Sequence, residues 1–449
     1  MLNGPAVLFI FAAWLHSIVR GSGSVTNYQA FVREYGVQRA DDPLSYEQRE
    51  RLFQQRLQEI DAHNSKPDRL WTAGLNHFAD YSKEEFEALL GHRPSYRGRR
   101  ERPPLSFLQT RPVARTLAHS IDWRRSVSSA VKDQGSCGSC WAVAAVGAIE
   151  SHFMIQEAKK ANASSLAELG SAVSDVALSV EQLVDCVQNP NGCGGTGGCQ
   201  GATAELALER LLDPRHGIMP ASEYKNGYMS GAKWSKTCHE AAGAAKGASL
   251  VQSEQAISLI QASSTYSIDH FRRLPENDPH ALMEAISLHG PVVVSADARG
   301  WNSYRMGIYD GCPRDAVVNH AIYALGYGQD SLADVGPSRR ARGSLADVGP
   351  LRPRLVNYWL IRNSWGPRWG EGGHMRIRRD GTGSPAAAAS LAERGDKGSD
   401  GYCGIDKDPK VGVYCNRTWE PTEVKVCGMC GILSDSALPV GVQRQDHGR

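Results

Sequence analysis

The feature that most constrains this chain is the run of residues 134–141, Gln-Gly-Ser-Cys-Gly-Ser-Cys-Trp, together with the apolar segment that follows it. The continuous apolar stretch at about residues 142–154 predicts a buried helix. A helix that begins at Cys140 would hold this thiol at the positive end of the helix dipole, where the thiolate is favoured. The spacing of Cys137 and Cys140 alone suits a redox pair, half of a zinc site, or a nucleophile beside a disulfide-bonded cysteine.

The cysteine count and the N-terminal residues both indicate the cellular compartment of the protein. The chain has eleven cysteines, an odd number that suits an oxidising compartment in which all but one form disulfides. Residues 5–19 are almost entirely apolar, which predicts a signal peptide over residues 1–24, with a short membrane anchor as the alternative. A formal net charge of +2 predicts no general attraction to nucleic acid. We therefore expect a protein of the secretory pathway, without stable membrane insertion once the signal peptide is removed.

The segment before the cysteine run is polar and helix-prone. Its residues Arg49, Phe53, Ile60 and Asn64 recur at spacings that place them along one helical face. Residues 74–80, Gly-Leu-Asn-His-Phe-Ala-Asp, form a second motif. Residues 91–118 are rich in arginine and proline and too polar to fold alone, which predicts an exposed, protease-accessible linker. A basic run can bind nucleic acid, but stacking aromatics and a nucleic-acid-binding fold are both missing here.

The second half of the chain carries a candidate base and a candidate amide partner. His320 lies in the apolar run Val-Val-Asn-His-Ala-Ile, and Asn363 lies in residues 358–366, Tyr-Trp-Leu-Ile-Arg-Asn-Ser-Trp-Gly. Taken separately, each is ordinarily a packed core residue. The glycine-rich residues 192–201 lack the Lys-Ser/Thr pair that a phosphate loop requires.

Taken together, these segments resemble the papain family of cysteine proteases, and in particular its cathepsin L-like members. Residues 137–141 match the signature around the nucleophile of that family, and the His320 and Asn363 segments follow in the family's order. The two upstream motifs match the inhibitory propeptide, although Ser45 and Arg56 replace its usual Glu and Asn. The resemblance implies an α+β, papain-like two-lobed fold. A helical lobe and an antiparallel β-barrel-like lobe would enclose the active-site cleft, preceded by a helical pro-domain.

The resemblance also implies an order of domains. We expect the signal peptide or anchor at residues 1–24, the inhibitory propeptide at 25–90, the basic activation linker at 91–118 and the peptidase domain at 119–449. Inserts are expected at about 157–177 and 329–356, because His320 and Asn363 both lie farther from Cys140 than the roughly 130–150 residues of the family signature, and at 384–400, where the sequence is alanine-rich and then charged. The insert at 329–356 contains Ser-Leu-Ala-Asp-Val-Gly-Pro twice. It is expected to be a loop between two strands, with a duplicated or misjoined coding segment as another origin.

The family resemblance assigns roles to the catalytic candidates. Cys140 would be the nucleophile and His320 the base, with Asn363 accepting a hydrogen bond from the imidazole. Gln134 would donate its side-chain amide to the oxyanion together with the Cys140 N–H. Trp365 would shield the His–Asn hydrogen bond from water.

Four further residues are implied to bind substrate. Gly201 would contact the extended peptide backbone. Val318, Ala321 and Asp435 would line the second pocket of the cleft. With Asp435 at its floor, that pocket would accept Arg or Lys as well as apolar side chains.

The resemblance implies the disulfides Cys137–Cys199, Cys186–Cys238 and Cys312–Cys430. Cys430 is preferred to Cys403 as the partner of Cys312, because the residues after it match the family's closing strand better. Two further bridges are left for the remaining cysteines, Cys193, Cys403, Cys415 and Cys427. The Cys427-x-x-Cys430 spacing is also that of half a zinc site, but no second pair accompanies it. We therefore expect no metal and no cofactor.

The leading hypothesis is a cysteine endopeptidase made as a zymogen. It would be a monomer that acts on protein and peptide substrates and is inhibited by its own propeptide, in a lysosome- or vacuole-like acidic compartment or outside the cell. One alternative is a non-catalytic binding or inhibitory protein of the same fold, its cleft distorted by the inserts. A thiol oxidoreductase using Cys137 and Cys140 is less consistent with the sequence, because no thioredoxin-like βαβ context surrounds them.

Overall fold

A computed structural model describes most of the propeptide and the peptidase domain. The described residues are 27–35, 42–91, 117–126, 130–162, 176–224, 227, 234, 237–241, 257–260, 263–331, 355–379, 402–409 and 422–447. The expected signal peptide, most of the expected linker and the insert at 384–400 lie outside them. Among the described residues, no helix is long and apolar enough to cross a bilayer.

The propeptide consists of three helices and one short strand: α1 (Tyr28–Tyr35), α2 (Tyr46–Asn64), β1 (Trp71–Ala73) and α3 (Lys83–Leu89). Ser45, one of the two departures from the family motif, is the N-cap of α2. Its hydroxyl accepts from the Gln48 N–H and its own N–H donates to the Gln48 side chain, which forms a capping box. The family motif can therefore lose its acidic residue here without leaving the helix end unsatisfied.

Helix α2 buries the face that its spacing predicts. Arg49, Phe53 and Ile60 are buried, and the Asn64 side chain makes two hydrogen bonds to the backbone of Ala73. Strand β1 pairs antiparallel with a strand of the peptidase domain. The propeptide is thus attached to the peptidase domain through backbone hydrogen bonds as well as side chains.

The helical lobe contains α4 (Cys140–Lys160), α5 (Val180–Cys186) and α6 (Ala204–Arg210). Helix α4 is apolar on nearly all sides because it forms the centre of this lobe. It continues past residue 154, where the apolar run ends, since its last turns need only one buried face. Residues 157–160, expected to begin the first insert, are therefore helical.

The second lobe is built on a mixed sheet. Its described strands are β2 (Ile121–Asp122), β5 (Ser264–Arg273), β6 (Val292–Ala296), β7 (Tyr304–Tyr309), β8 (His320–Ser331), β9 (Leu355–Arg362), β10 (His374–Arg378) and β13 (Ser436–Asp446). Together with β1 the order is β1-β7-β10-β9-β8-β6-β13-β5, and β2 pairs with β8. The pairing is antiparallel apart from the parallel pair β7–β10. Helix α7 (Pro279–Leu288) connects β5 to β6.

Two pairings define the edges of this sheet and of the repeat-containing insert. Strand β5 pairs with β13 along most of its length. At the repeat-containing insert, Ser331 at the end of β8 lies opposite Leu355 at the start of β9. The described ends of these two strands are therefore adjacent, and residues 332–354 between them lie outside the described residues.

Two small sheets complete the described strands. Strands β3 (Cys238–Ala241) and β4 (Ile257–Ile260) are parallel, and β11 (Cys403–Asp406) and β12 (Val424–Cys427) are antiparallel.

Candidate active site

Cys140 is the first residue of α4, at the helix end expected from the sequence. It is the free cysteine of the described residues and only 3 % exposed. Burial raises the pKa of this thiol to about 11, although nearby backbone groups at Ala321 and Trp141 act to lower it. The expectation of a low thiol pKa is thus wrong for the covered state, because burial outweighs the helix N-terminus.

His320 and Asn363 are brought together by the neighbouring strands β8 and β9. Nε2 of His320 lies 2.8 Å from Oδ1 of Asn363, and the Ser364 N–H donates to the same oxygen at 2.8 Å. Because an amide oxygen only accepts, Nε2 must carry the proton. Nδ1 of His320 is then the acceptor nitrogen, and it has no hydrogen-bond partner among the described residues.

The surroundings of the imidazole keep it neutral. Trp365 stacks on His320 with ring centroids 4.9 Å apart, and both side chains are fully buried. Burial lowers the pKa of His320 to about 4, against the opposing effect of the hydrogen bond to Asn363. With the propeptide in place, the thiol and the imidazole are therefore both uncharged.

Gln134 is held by three elements. Its Nε2 donates to the Cys137 carbonyl at 2.8 Å and to the Leu89 carbonyl at 2.7 Å, and its backbone N–H donates to the Ser364 carbonyl at 2.8 Å. The Ser364 hydroxyl donates to its Oε1. The two carbonyls, which can only accept, fix which end of the amide is the donor. Ser364 was not singled out from the sequence, although its position directly after Asn363 was a usable signal.

Propeptide residues lie directly over the nucleophile. The Leu90 carbonyl oxygen is 4.0 Å from Sγ of Cys140. Gly201 has a φ of 89°, and a Cβ at this position would overlap the Gly91 carbonyl. The edges of the propeptide side chains Phe78 and Phe86 pack against the Trp365 ring. The propeptide therefore lies against three of the expected site residues, Cys140, Gly201 and Trp365.

Two of the three residues expected in the second pocket, Ala321 and Asp435, lie beside one serine. Ser295 pairs with Ala321 across β6 and β8, and its hydroxyl donates to Oδ2 of Asp435 at 2.7 Å. Val318 is fully buried, and Asp435 is partly exposed. Glu276 is exposed, and partial desolvation together with the charge of Asp435 raises its pKa, so a second carboxylate lies near the first. Ser295 and Glu276 were missed, because their positions depend on strand register and on a loop.

The structure contains the disulfides Cys137–Cys199, Cys186–Cys238 and Cys312–Cys430, together with Cys403–Cys427. Cys193 is also disulfide-bonded, and Cys415 lies outside the described residues. Cys427 and Cys430 are thus each bonded to another cysteine and do not form half of a zinc site. Glu240 lies near Cys186 and Cys238, but their sulfurs are already bonded to each other.

Comparison with known proteins matches two families in the expected order. Residues 28–86 match the cathepsin propeptide inhibitor domain, and residues 117–393 match the papain family cysteine protease. The chain is 32% identical over 343 residues to cysteine protease 1 of Oryza sativa subsp. japonica, covering 75% of this chain and 56% of that protein. It is 30% identical over 361 residues to cysteine protease XCP2 of Arabidopsis thaliana, covering 79% of this chain and 77% of that protein.

Solved proforms share the fold. The recombinant stem bromelain precursor superposes with a TM-score of 0.56 at 25% identity, covering 92% of this chain and 97% of that one. Procathepsin L 3 from the larval midgut of Tenebrio molitor gives a TM-score of 0.55 at 22% identity, with the same coverage of both chains. The predicted α+β fold with a helical pro-domain is confirmed, as is the prediction of a papain-like cysteine protease. The chain belongs to the papain family of cysteine proteases and carries that family's propeptide inhibitor domain.

Proposed function

We propose that this chain is the zymogen of a cysteine endopeptidase that uses a Cys-His-Asn mechanism. The observation that carries the proposal is that one propeptide segment, residues 89–91, covers both Cys140 and Gln134, while the backbone of Ala321, the residue after His320, acts on the Cys140 thiol. A binding protein would have no need of a free thiol at a helix N-terminus together with a histidine whose tautomer is fixed by an amide.

The reaction begins when the propeptide leaves. Sγ of Cys140 passes its proton to Nδ1 of His320, which gives a thiolate–imidazolium pair. The thiolate attacks the peptide carbonyl carbon and forms a carbon–sulfur bond. The oxyanion accepts hydrogen bonds from Nε2 of Gln134 and the N–H of Cys140. His320 then protonates the leaving amine as the carbon–nitrogen bond breaks. Next, His320 takes a proton from a water molecule, whose oxygen attacks the thioester carbon. The carbon–sulfur bond breaks, which releases the acid and restores the thiolate–imidazolium pair.

The remaining site residues support this sequence of steps. Asn363 keeps the proton on Nε2, so that Nδ1 is free to accept one from Cys140. Trp365 covers the imidazole and limits the access of water to the His–Asn bond. The steps use only groups of the chain itself.

Replacing the nucleophile tests the mechanism. Cys140→Ala is expected to abolish hydrolysis of a fluorogenic peptide by the acid-treated protein. Cys137→Ala removes only a disulfide partner and is expected to retain part of the activity. Disulfide exchange by the wild-type protein without peptide hydrolysis would favour an oxidoreductase instead.

For specificity, we propose that Asp435 and Ser295 make the second pocket receptive to Arg and Lys while Gly201 binds the peptide backbone. Asp435→Ala is expected to lower the Arg/Leu ratio of kcat/KM at the second substrate position several-fold. Asp446→Ala, at the far end of β13, the strand that begins directly after Asp435, serves as the control. An Arg/Leu ratio that Asp435→Ala leaves unchanged would contradict this assignment.

The biological setting follows from the same proposal. The substrates are proteins and peptides, the propeptide is the chain's own inhibitor, and the enzyme acts as a monomer. It is directed into the secretory pathway by residues 1–24 and acts in an acidic compartment or outside the cell. Nucleic acid has no part in this function.

A further inference from the structure

A segment between β10 and β13 lies along the residues that lead into the catalytic histidine. We call residues 402–408, which contain β11, the strap. The strap is paired with β12 and bonded to it by the disulfide Cys403–Cys427. It runs along residues 312–318, the segment that enters β8 at His320.

The strap contacts this segment at several points. The Tyr402 hydroxyl donates to the Cys312 carbonyl, and the Ile405 N–H donates to Oδ1 of Asp315 at 3.0 Å. Lys407 forms an ion pair with Asp315 at 3.4 Å, but both side chains are more than half exposed. Such a pair contributes little, so the backbone and hydroxyl contacts matter more.

The buried contact of the strap is made by Asp406, whose side chain is fully buried. Its Oδ2 accepts from the Val318 N–H at 3.2 Å and its Oδ1 accepts from the Asp408 N–H at 2.9 Å. Val318 is fully buried too, and its side chain clusters with Val426 of β12. The strap and its partner strand therefore hold both the backbone and the side chain of Val318.

Val317, the residue before Val318, is held by a different element. The Val317 N–H donates to Oδ2 of Asp297 at 3.1 Å, and Asp297 follows the end of β6. His320 itself pairs with Ala296 in the sheet. The base is therefore fixed by β6 and Asn363, independently of the strap, whereas the backbone of Val318 depends on Asp406.

We propose that Asp406 is a positioning residue for substrate selection, which fixes the Val318 wall of the second pocket through its backbone. This inference rests on the proposed function, because it takes Val318 as part of that pocket. Loss of the Asp406 acceptor leaves the backbone of Val318 without its hydrogen bond to the strap, so that Val318 is less well fixed and the substrate side chain binds more weakly. The chemical step is maintained, since His320 keeps its own supports.

The test compares variants of the full chain after acid activation, with kcat and KM measured separately on peptides carrying Leu or Arg at the second position. Asp406→Ala is expected to raise KM about tenfold with kcat nearly unchanged, the equivalent of one lost hydrogen bond. Asp406→Asn keeps one acceptor for the buried Val318 N–H and is expected to recover much of the affinity. Lys407→Ala, an exposed neighbour, is the matched control and is expected to match the wild type.

Labelling of Cys140 by a thiol-protease epoxide, measured for every variant, separates the two proposals. A wild-type protein that neither labels nor hydrolyses peptide would refute the proposed function itself. An active wild type with unchanged KM in Asp406→Ala, or equal losses in kcat for Asp406→Ala and Asp406→Asn, would overturn the role of Asp406. Should Asp406→Ala fail to fold, Tyr402→Phe is the deciding variant. A raised KM at constant kcat would support the role of the strap in substrate binding, and an unchanged KM would refute it.

Discussion

The side-chain amide of Gln134 donates a hydrogen bond of 2.7 Å to the carbonyl oxygen of Leu89. The donor that we assign to the oxyanion is thus occupied by the propeptide's own backbone. The next carbonyl, that of Leu90, lies 4.0 Å from the thiol of Cys140. In the proposed mechanism, latency and catalysis therefore depend on the same groups.

Gln134→Ala is expected to lower kcat by about 10²–10³-fold, because one oxyanion donor is lost and substrate binding is largely kept. Initial rates on a fluorogenic peptide, normalised to titrated Cys140, measure this effect. Ser364→Ala, which removes only the hydroxyl that orients the amide, is expected to have a smaller effect in the same direction. A normal kcat in Gln134→Ala would show that the side chain serves only the propeptide.

Arg49→Ala is expected to destabilise the zymogen by about 3 kcal/mol, because it removes the cation between two carboxylates. The guanidinium is 2% exposed, lies 2.6 Å from Asp42, contacts Glu85 and donates to the Asp80 carbonyl at 3.0 Å. Urea unfolding and the rate of activation at neutral pH are the measurements. Arg51→Ala, on the exposed face of the same helix, is the control and should leave both unchanged; equal effects of the two variants would contradict the account.

Acid is expected to weaken propeptide docking through His77. Burial lowers its pKa in the docked state to about 4, assisted by Arg368 and opposed by Asp133 and Asp80. The ordinary pKa of a histidine side chain is about 6.5. The propeptide therefore docks with His77 in its neutral form. The stability that neutral His77 gives to the docked propeptide is complete above pH 6.5, and it is lost progressively as the pH falls towards 4.

His77→Gln, which cannot be protonated, should therefore shift the midpoint of acid activation to lower pH. The exposed His280 on α7 provides the control variant, His280→Gln, whose midpoint should match the wild type. The fraction of Cys140 accessible to an alkylating reagent across the pH range is the measurement. An activation midpoint in His77→Gln identical to that of the wild type would show that protonation of His77 does not contribute to acid activation.

The covered thiol is expected to react slowly. With the pKa of Cys140 raised to about 11 in the zymogen, its alkylation rate should climb steadily from neutral to alkaline pH, because only the thiolate reacts. After removal of the propeptide, ion pairing with His320 should make the rate faster and nearly independent of pH above neutrality. Stopped-time alkylation followed by mass analysis tests this, and indistinguishable pH profiles before and after activation would contradict it.

The parts that the sequence could predict are those set by local pattern. The start of α4 at Cys140 follows from the apolar run behind it, and the buried face of α2 follows from the spacing of Arg49, Phe53 and Ile60. The neutral state of Cys140 could not be predicted, because it depends on which distant segment covers the thiol. The position of Ser295 opposite Ala321 requires the strand register.

The strap is another case in which a contact between distant residues could not be predicted from the sequence. Asp406 and Val318 are 88 residues apart in the sequence, and nothing near either residue indicates the contact. The duplicated Cys-Gly-Ile motif left the pairing of Cys312 open to two candidates, and the sequence after Cys430 favoured the one that the structure contains. Long-range pairing of this kind is inferred from the sequence only where a family pattern supplies it.

The most direct test of the central claim is mass spectrometry of the acid-activated protein after reaction with an epoxide inhibitor of thiol proteases. We expect one label, on Cys140, in a protein with a new N-terminus near Ile121, and no label on the intact zymogen at neutral pH or on Cys140→Ala. A protein that has lost its propeptide and still takes no label at Cys140 would contradict the account, and a non-catalytic protein of the same fold, its cleft distorted by the inserts, would then be the better description.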